Sequence, residues 1–476
     1  MNVSIKKYDY TMMAGAFLIV LGAMLWTVQF YGVSVPFYDE WEAEAGWLYK
    51  LYEQERLGVS EMFAPHNGHR IVFTRMAALS LYVVNGGWDP QLQLIVSAFL
   101  HALICVLLIK FGTLKLKDKN LALSISATVL LFAIPFSWLS ILVAFQTQFY
   151  FMILFSILSL NYFSSAEYKL GYLFTILAIF SMTSGAFILP AFIAATLIEV
   201  IRNKSITKEQ IVHTLISATI FTIFILTLPE ETSDQDYYAQ HLLGFIVTIL
   251  AAISWPFRVS WGIGIIIYAP LLVFIIRAIF IARVPVFLLS LGMFISLQIL
   301  AMGYFRGGEG VPPANRYWEI MIVGIWLNCM CVTYLANHSS IKFVKKAAIA
   351  WLFVAITGMA SLGYQAFANG LPTRKAESLI AQSLITEFLE TGRSGQFDGR
   401  TTFEVSHLNT NVLLNLLNDE TVKNLLPSTL GIPNLDRLRA TKLILLSSSP
   451  FLLIIGIALL GFSFSREWTV QKVTKV

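Results

Sequence analysis

Two carboxylates and a cluster of cations share one stretch of this chain. Pro36-Phe37-Tyr38-Asp39-Glu40-Trp41-Glu42 follows the first apolar segment, and His66-Asn67-Gly68-His69-Arg70 comes before the second. A carboxylate can take the proton from a hydroxyl, and histidine and arginine can hold a phosphate as it departs, so the pairing predicts group transfer at a phosphate. Asp39 and Glu40 are flanked by Phe37, Tyr38 and Trp41, aromatics that favour the membrane-water interface, which places the two acids at headgroup depth. Glu42 and Glu44 read as acids of the first turns of a helix running to about Arg56, where the macrodipole favours them. On a helix, His66 would stand above His69 and Arg70 and make one cationic face. Two histidines three apart lack the third ligand a metal site requires, so neither a divalent metal nor any other cofactor is assigned.

A second loop carries Arg306-Gly307-Gly308-Glu309-Gly310-Val311-Pro312-Pro313-Ala314-Asn315-Arg316-Tyr317. Its glycines and prolines exclude regular structure and let backbone amides approach a ligand. Arg306 and Arg316 are permanent cations able to grip phosphate oxygens in a bidentate way, with interfacial anchoring as the plainer role for each. Gln146, Gln148 and the segment Ser181-Met182-Thr183-Ser184-Gly185 could line a cavity and bind sugar hydroxyls, or could serve helix packing. His101 and His213 lie inside apolar segments and read as satisfied core residues.

The elements that must position these groups are membrane helices. Of 476 residues, 57% are hydrophobic and only 13% charged, which excludes a soluble globular chain. Cys105, Cys329 and Cys331 all fall in apolar stretches and form no disulfide or metal pattern. The net charge of +5 is spread over short connectors, a topology signal and not a nucleic-acid footprint.

The expected fold class is an all-α polytopic membrane protein of about twelve crossings, with interfacial helices in the first outer loop and a small C-terminal outer domain. Basic connectors at Lys115 to Lys119, Lys169, Arg202 to Lys208, Arg277 to Arg283 and Lys342 to Lys346 mark the cytoplasmic side, so the acidic loop faces out. Residues 170–200 are expected to form a hairpin of two short helices with its polar apex in a cavity open to that outer side, and 242–257 a re-entrant or interfacial segment. Residues 71–84 read as a helix lying in the outer interface. Three regions result: a bundle over 1–363 with active loops at 33–88 and 305–317, an outer helical segment at 364–442, and a last span with a cytoplasmic tail at 443–476.

The strings Tyr38-Asp39-Glu40-Trp41 and His66-Asn67-Gly68-His69-Arg70, with the weaker Asn315-Arg316-Tyr317, resemble those of the GT-C membrane glycosyltransferases, in particular bacterial enzymes similar to the O-antigen-modifying, serotype-converting glucosyltransferases. The resemblance implies a GT-C-like bundle in the bacterial inner membrane, with both termini cytoplasmic and the active site facing the periplasm. It implies a polyprenyl-phosphate-linked sugar as donor and a glycan or glycolipid as acceptor. By the same resemblance Asp39, with Glu40, would act as general base. His66, His69, Arg70, Arg306, Arg316 and Tyr317 would hold the donor phosphate, and Trp41, Gln146, Gln148 and Ser184 would line the sugar cavity. A transporter or flippase of lipid-linked saccharides is the alternative from another class, although the ionisable residues gather in outer loops and not at mid-membrane. A polymerase or ligase of lipid-linked glycans would use similar loops with a diphosphate-linked donor.

Overall fold

The computed structural model describes residues 2–116, 121–228, 237–257, 261–308, 314–431 and 435–473, and they form an all-helical protein. The readings of 117–120, of 229–236, of Arg258, of 309–313 and of Lys475 lie outside these residues. Among the described residues nine helices are long and apolar enough to cross a membrane, which makes the chain a multi-pass membrane protein. The other three of the expected twelve fall on shorter or more polar helices, Leu121–Ala133, Thr147–Ser164 and Tyr168–Ile179.

Close backbone approach sets the centre of the bundle. The first helix, Asn2–Tyr31, lies along the last, Ser449–Val473. A Cβ on Gly15 would meet the Gly456 carbonyl oxygen at 3.0 Å and one on Gly22 would meet that of Ser449 at 2.9 Å, so glycine lets these two helices touch through their backbones. At the start of the next long helix, Pro90–Leu108, Pro90 occupies the first turn, where its missing N–H costs nothing. Asp89 caps that helix by accepting from Gln91 N at 3.0 Å. The same carboxylate takes Ser34 Oγ at 2.8 Å and Lys442 Nζ, which ties the first, second and last spans together.

Helix directions sort the charges. The acidic loop, the turn after Leu121–Ala133, the apex of 180–187 and residues 306–308 and 314–317 share one end of the bundle. Lys115, Arg202, Lys204, Arg277, Arg283 and Lys342 collect at the other. The expected hairpin is present as Tyr168–Ile179 and Ile188–Asn203 joined through the tight turn Thr183–Phe187. Gly185 makes that turn possible, because a Cβ there would lie 2.5 Å from the Ala178 carbonyl carbon. The helix Leu242–Ile253 has both ends at the acidic-loop end. Ala239 N donates to Tyr304 O at 2.8 Å before it, and after it Trp255 packs edge-on against Phe136 at 6.0 Å. Its 12 residues span about 18 Å, too short to cross and return elsewhere.

The C-terminal segment differs from the sequence reading in two respects. The helix Lys342–Gln365 does not end at 363. It continues through a wide turn, Ala366–Gly370, into Leu371–Thr391. The widened turn accommodates Pro372, whose ring would otherwise meet a carbonyl of the preceding turn, and Gly370 fits beneath the Trp138 ring, 2.7 Å from where its Cβ would be. Nor does the segment stand apart from the first outer loop. Trp41, Leu48, Tyr49 and Trp88 of the loop share one buried apolar cluster with Ile385, Phe388, Leu413, Leu417 and Leu426. Two stretches far apart in the sequence thus make one packed body at that end of the bundle.

Candidate functional site

Asp39 sits at the mouth of a wide, π-type helix, Glu40–Tyr49, and its side chain makes no capping bond to that helix. It turns instead to the second motif. Oδ1 lies 3.4 Å from His66 Nε2 and 3.3 Å from Asn67 Nδ2, while Oδ2 makes no hydrogen bond among the described residues. Burial alone would raise its pKa, but the hydrogen bond and charge of His66, with Arg316 and His407 further off, hold it below the ordinary carboxylate value. Asp39 is therefore ionised at neutral pH, with one oxygen open.

The second motif is a tight turn, which corrects the expected helical face. His66 and His69 exchange backbone hydrogen bonds of 2.8 and 2.9 Å, and Asn67 and Gly68 between them both have positive φ, +46° and +73°. Asn-Gly is the pair that a two-residue type I′ turn requires, and the dipeptide was visible in the sequence. The turn sets the histidines opposite one another. Gly68 O accepts from Thr183 Oγ1 at 2.7 Å, which seats it on the hairpin apex, and Val72 N donates to Phe180 O at 2.9 Å as the interfacial helix Val72–Asn85 begins. The His66 ring meets Phe145 edge-on at 5.3 Å.

His69 is not a cation. Burial, with the charges of His66, Arg306 and Arg316, pushes its pKa down to about 4, so at neutral pH it offers a neutral imidazole whose enclosed Nδ1 has no partner. Positive charge comes from the arginines. Arg306 donates from Nε to Tyr317 Oη at 3.0 Å, with its guanidinium 5.0 Å from the Tyr237 ring centre. Arg316 lies over the Tyr317 ring at 5.3 Å and acts electrostatically on both Asp39 and His69. Its backbone is pinned, since Ser140 Oγ donates to Arg316 O at 3.1 Å and Leu139 N to Asn315 Oδ1 at 2.8 Å. Arg70 is half-buried and makes no hydrogen bond or ion pair among the described residues.

Glu40 is a brace. Its carboxylate is 1% exposed and accepts from the backbone N–H groups of Phe37, Ala144 and Phe145 at 3.1, 2.7 and 3.3 Å. Burial and neighbouring Glu44 raise its pKa well above the usual value, and neither oxygen is free for a substrate proton. Glu44 is not a solvated helix-start acid either. It is buried, accepts from Gln93 Nε2 at 3.0 Å and Tyr49 Oη at 3.5 Å, and burial lifts its pKa to about 7. Glu42 is half-exposed and pairs with His407 Nε2 at 3.4 Å. Trp41 is fully buried and donates to Ser406 Oγ at 3.2 Å, so it supports the loop from behind.

Three further polar groups on the neighbouring segments are buried and lack a hydrogen bond among the described residues. Gln146 Oε1 and Gln148 Oε1 have no donor, and neither does Ser184 Oγ have a partner. Gln146 follows Phe145, whose ring touches His66; Gln148 precedes Phe149, whose ring meets Tyr317 at 5.7 Å. Ser184 follows the Thr183 that holds Gly68, and its carbonyl accepts from Gln298 at 3.0 Å. Three sequence regions therefore converge: 38–41, 66–70 and the described residues 306–308 and 314–317, completed by 145–149 and 183–184. Among the described residues no group of three or more His, Cys, Asp or Glu is placed to hold a metal.

The sequence reading missed the C-terminal contribution. Tyr38 N donates to Ser406 O at 2.8 Å, Tyr38 Oη shares a 2.9 Å bond with Thr402, and Phe403 packs on both Phe37 and Tyr38. Arg374 lies 3.8 Å above the Phe37 ring. No short motif announces these residues, because their role exists only once the two outer segments dock. No protein-family model, curated protein or solved structure matches the chain.

Proposed function

We propose that this protein transfers a sugar from a polyprenyl-phosphate donor to a glycan or glycolipid acceptor at the outer face of a bacterial inner membrane, as a GT-C-type glycosyltransferase. One observation carries the reading: an ionised carboxylate with a free oxygen, Asp39, shares a site with His66, a neutral His69 and two anchored guanidinium groups, at the polar end of a membrane bundle. Asp39 Oδ2 takes the proton from the acceptor hydroxyl while that oxygen attacks the anomeric carbon. The C–O bond to the phosphate breaks with its electrons, and Arg316 and Arg306 stabilise the phosphate that leaves. His69 adds a neutral hydrogen bond. A single displacement inverts the anomeric centre. Gln146, Gln148 and Ser184, unpaired as they stand, would satisfy sugar hydroxyls.

The test is turnover of Asp39→Asn in purified protein reconstituted with polyprenyl-phosphate hexose. A loss of about 10²- to 10⁴-fold is expected for a general base, and near-wild-type turnover would remove Asp39 from the mechanism. Supplying mono- and diphosphate-linked donors in parallel separates this reaction from glycan polymerisation or ligation.

A further inference from the structure

Arg374 opens the helix Leu371–Thr391, in the packed outer body, and only 3% of it is exposed. Its guanidinium lies 3.8 Å over the ring of Phe37, and that ring is stacked on Tyr38 at 3.9 Å, directly before Asp39. This contact holds the guanidinium against the ring. Yet the fork donates no hydrogen bond among the described residues. Nε and Nη1 are enclosed and donate to no acceptor, and Nη2 is neither hydrogen-bonded nor fully enclosed. The closest carboxylate, Glu377, stands 4.0 Å from Nη1, within ion-pair range and beyond a hydrogen bond.

A buried charge whose donors are unmet is costly, and native proteins seldom leave one without a partner. Lysine would tolerate the place better if only a positive stem were needed. Arginine's planar, five-donor fork suits the oxygens of a carboxylate or a phosphate. Arg374 is also distinct from the cations of the donor site: Arg306 and Arg316 stand at the ends of the helices Val286–Phe305 and Trp318–Asn337 of the bundle, whereas Arg374 belongs to the outer body. Tyr38 lies within electrostatic reach of both Arg374 and Arg316.

We infer that Arg374 is an anion subsite for the acceptor: it receives a carboxylate or phosphate carried by the glycan or glycolipid whose hydroxyl faces Asp39. This rests on the reading of Asp39 and Arg316 given above. An acceptor that must reach Asp39 without displacing the donor phosphate comes from the side of the outer body, and Arg374 is the buried cation on that side. Acceptors are therefore acidic glycans or phosphorylated glycolipids, and neutral sugars bind less well.

The experiment uses the full chain in nanodiscs and follows its thermal unfolding midpoint. Polyprenyl phosphate is added first, then glucose, glucuronate or glucose 6-phosphate. In the wild type polyprenyl phosphate raises the midpoint, and glucuronate or glucose 6-phosphate raises it further while glucose does not; which of the two acts tells carboxylate from phosphate. Arg374→Met keeps the response to polyprenyl phosphate and loses the response to the acidic sugars, and without any ligand it unfolds no lower than the wild type, since an apolar side chain replaces an unmet charge. Arg316→Met shows the converse. If Arg374→Met does not assemble, Arg374→Lys weakens the acidic-sugar response by about tenfold, as loss of a fork's hydrogen bond does. The inference is overturned if the acidic sugars and glucose act alike on the wild type, or if the Arg374 variants respond to them unchanged. A wild type blind to polyprenyl phosphate would instead sink the donor reading, whatever Arg374 does.

Discussion

Two buried polar clusters sit at the same end of the bundle: in one the acid and the histidine face each other across an ion pair, and in the other several polar atoms face no partner among the described residues. Glu319 accepts from Ser137 Oγ and from Tyr150 Oη at 2.8 Å. Its other oxygen faces His101 Nδ1 at 3.2 Å, close enough for an ion pair although not in line for a hydrogen bond. His101 Nε2 in turn lies 2.9 Å from Phe132 O. In the Asp39 cluster, by contrast, the Nδ1 of His69 and the side-chain oxygens of Gln146, Gln148 and Ser184 are buried with no hydrogen-bond partner among the described residues. Both clusters carry charge in apolar surroundings. A polar set that serves folding pairs its charges with one another, as Glu319 and His101 do, whereas one that serves a ligand keeps bonds in reserve. His101 is thus the core residue its apolar sequence context implies, although its partner Glu319 gave no signal of its own.

The contrast breaks most sharply on removal of the central acid. Glu319→Ala leaves His101 facing an empty, buried position and should cost about 3–5 kcal/mol of stability, as loss of one member of a buried pair does. Denaturant unfolding in detergent checks it. Asp39→Asn should leave that stability unchanged, and equal destabilisation by the two substitutions would erase the distinction drawn here.

The next effect is a pH dependence inside the acidic loop. Burial lifts the Glu44 pKa to about 7 in the folded chain from its ordinary 4.5. A raised acid binds its proton more tightly when folded, so its stabilisation is complete below about 4.5 and is lost as pH rises through about 7. The wild type should lose about 3 kcal/mol between pH 5 and pH 8 through this group, at roughly 1.4 kcal/mol per unit. Glu44→Gln should flatten that slope. An unchanged slope in the variant assigns the pH dependence elsewhere.

Smaller again is the open cluster's own signature. Gln148→Leu removes an unpaired buried amide and should leave unfolding unchanged or raise it by about 1 kcal/mol. The same change should weaken the sugar-bearing donor about tenfold and bare polyprenyl phosphate not at all. A fall in stability with equal loss for both lipids would make Gln148 a packing residue.

How much of this was legible varies with the range of the interaction. The apolar spans, the hairpin at 183–187 and the short segment at 242–253 follow from local composition and length. The Asn67-Gly68 turn was equally local, but helix spacing was read where the turn dipeptide governed. Glu40 and Glu44 stand in the same acidic run as Asp39, and only tertiary contacts separate their roles: Ala144 and Phe145 for Glu40, Gln93 for Glu44. Arg374, Ser406 and His407 were illegible for the same reason, since the acidic loop they contact lies more than 300 residues away.

That long-range docking supplies the smallest effect. Lys50 and Asp419 join the loop helix to the outer segment through a 2.5 Å ion pair, with side chains 30% and 28% exposed. At such exposure solvent and salt screen the attraction, and the pair should contribute about 0.2–1 kcal/mol. The apolar cluster around Trp41, Leu48, Tyr49 and Leu417 is buried throughout and should hold the two segments together without it. Lys50→Ala is therefore expected to shift unfolding slightly at low salt and not measurably at 0.5 M salt, with the response of Asp39 turnover intact. A large, salt-sensitive loss would mean that charge, and not the shared core, joins the body that carries Arg374 to the loop that carries Asp39.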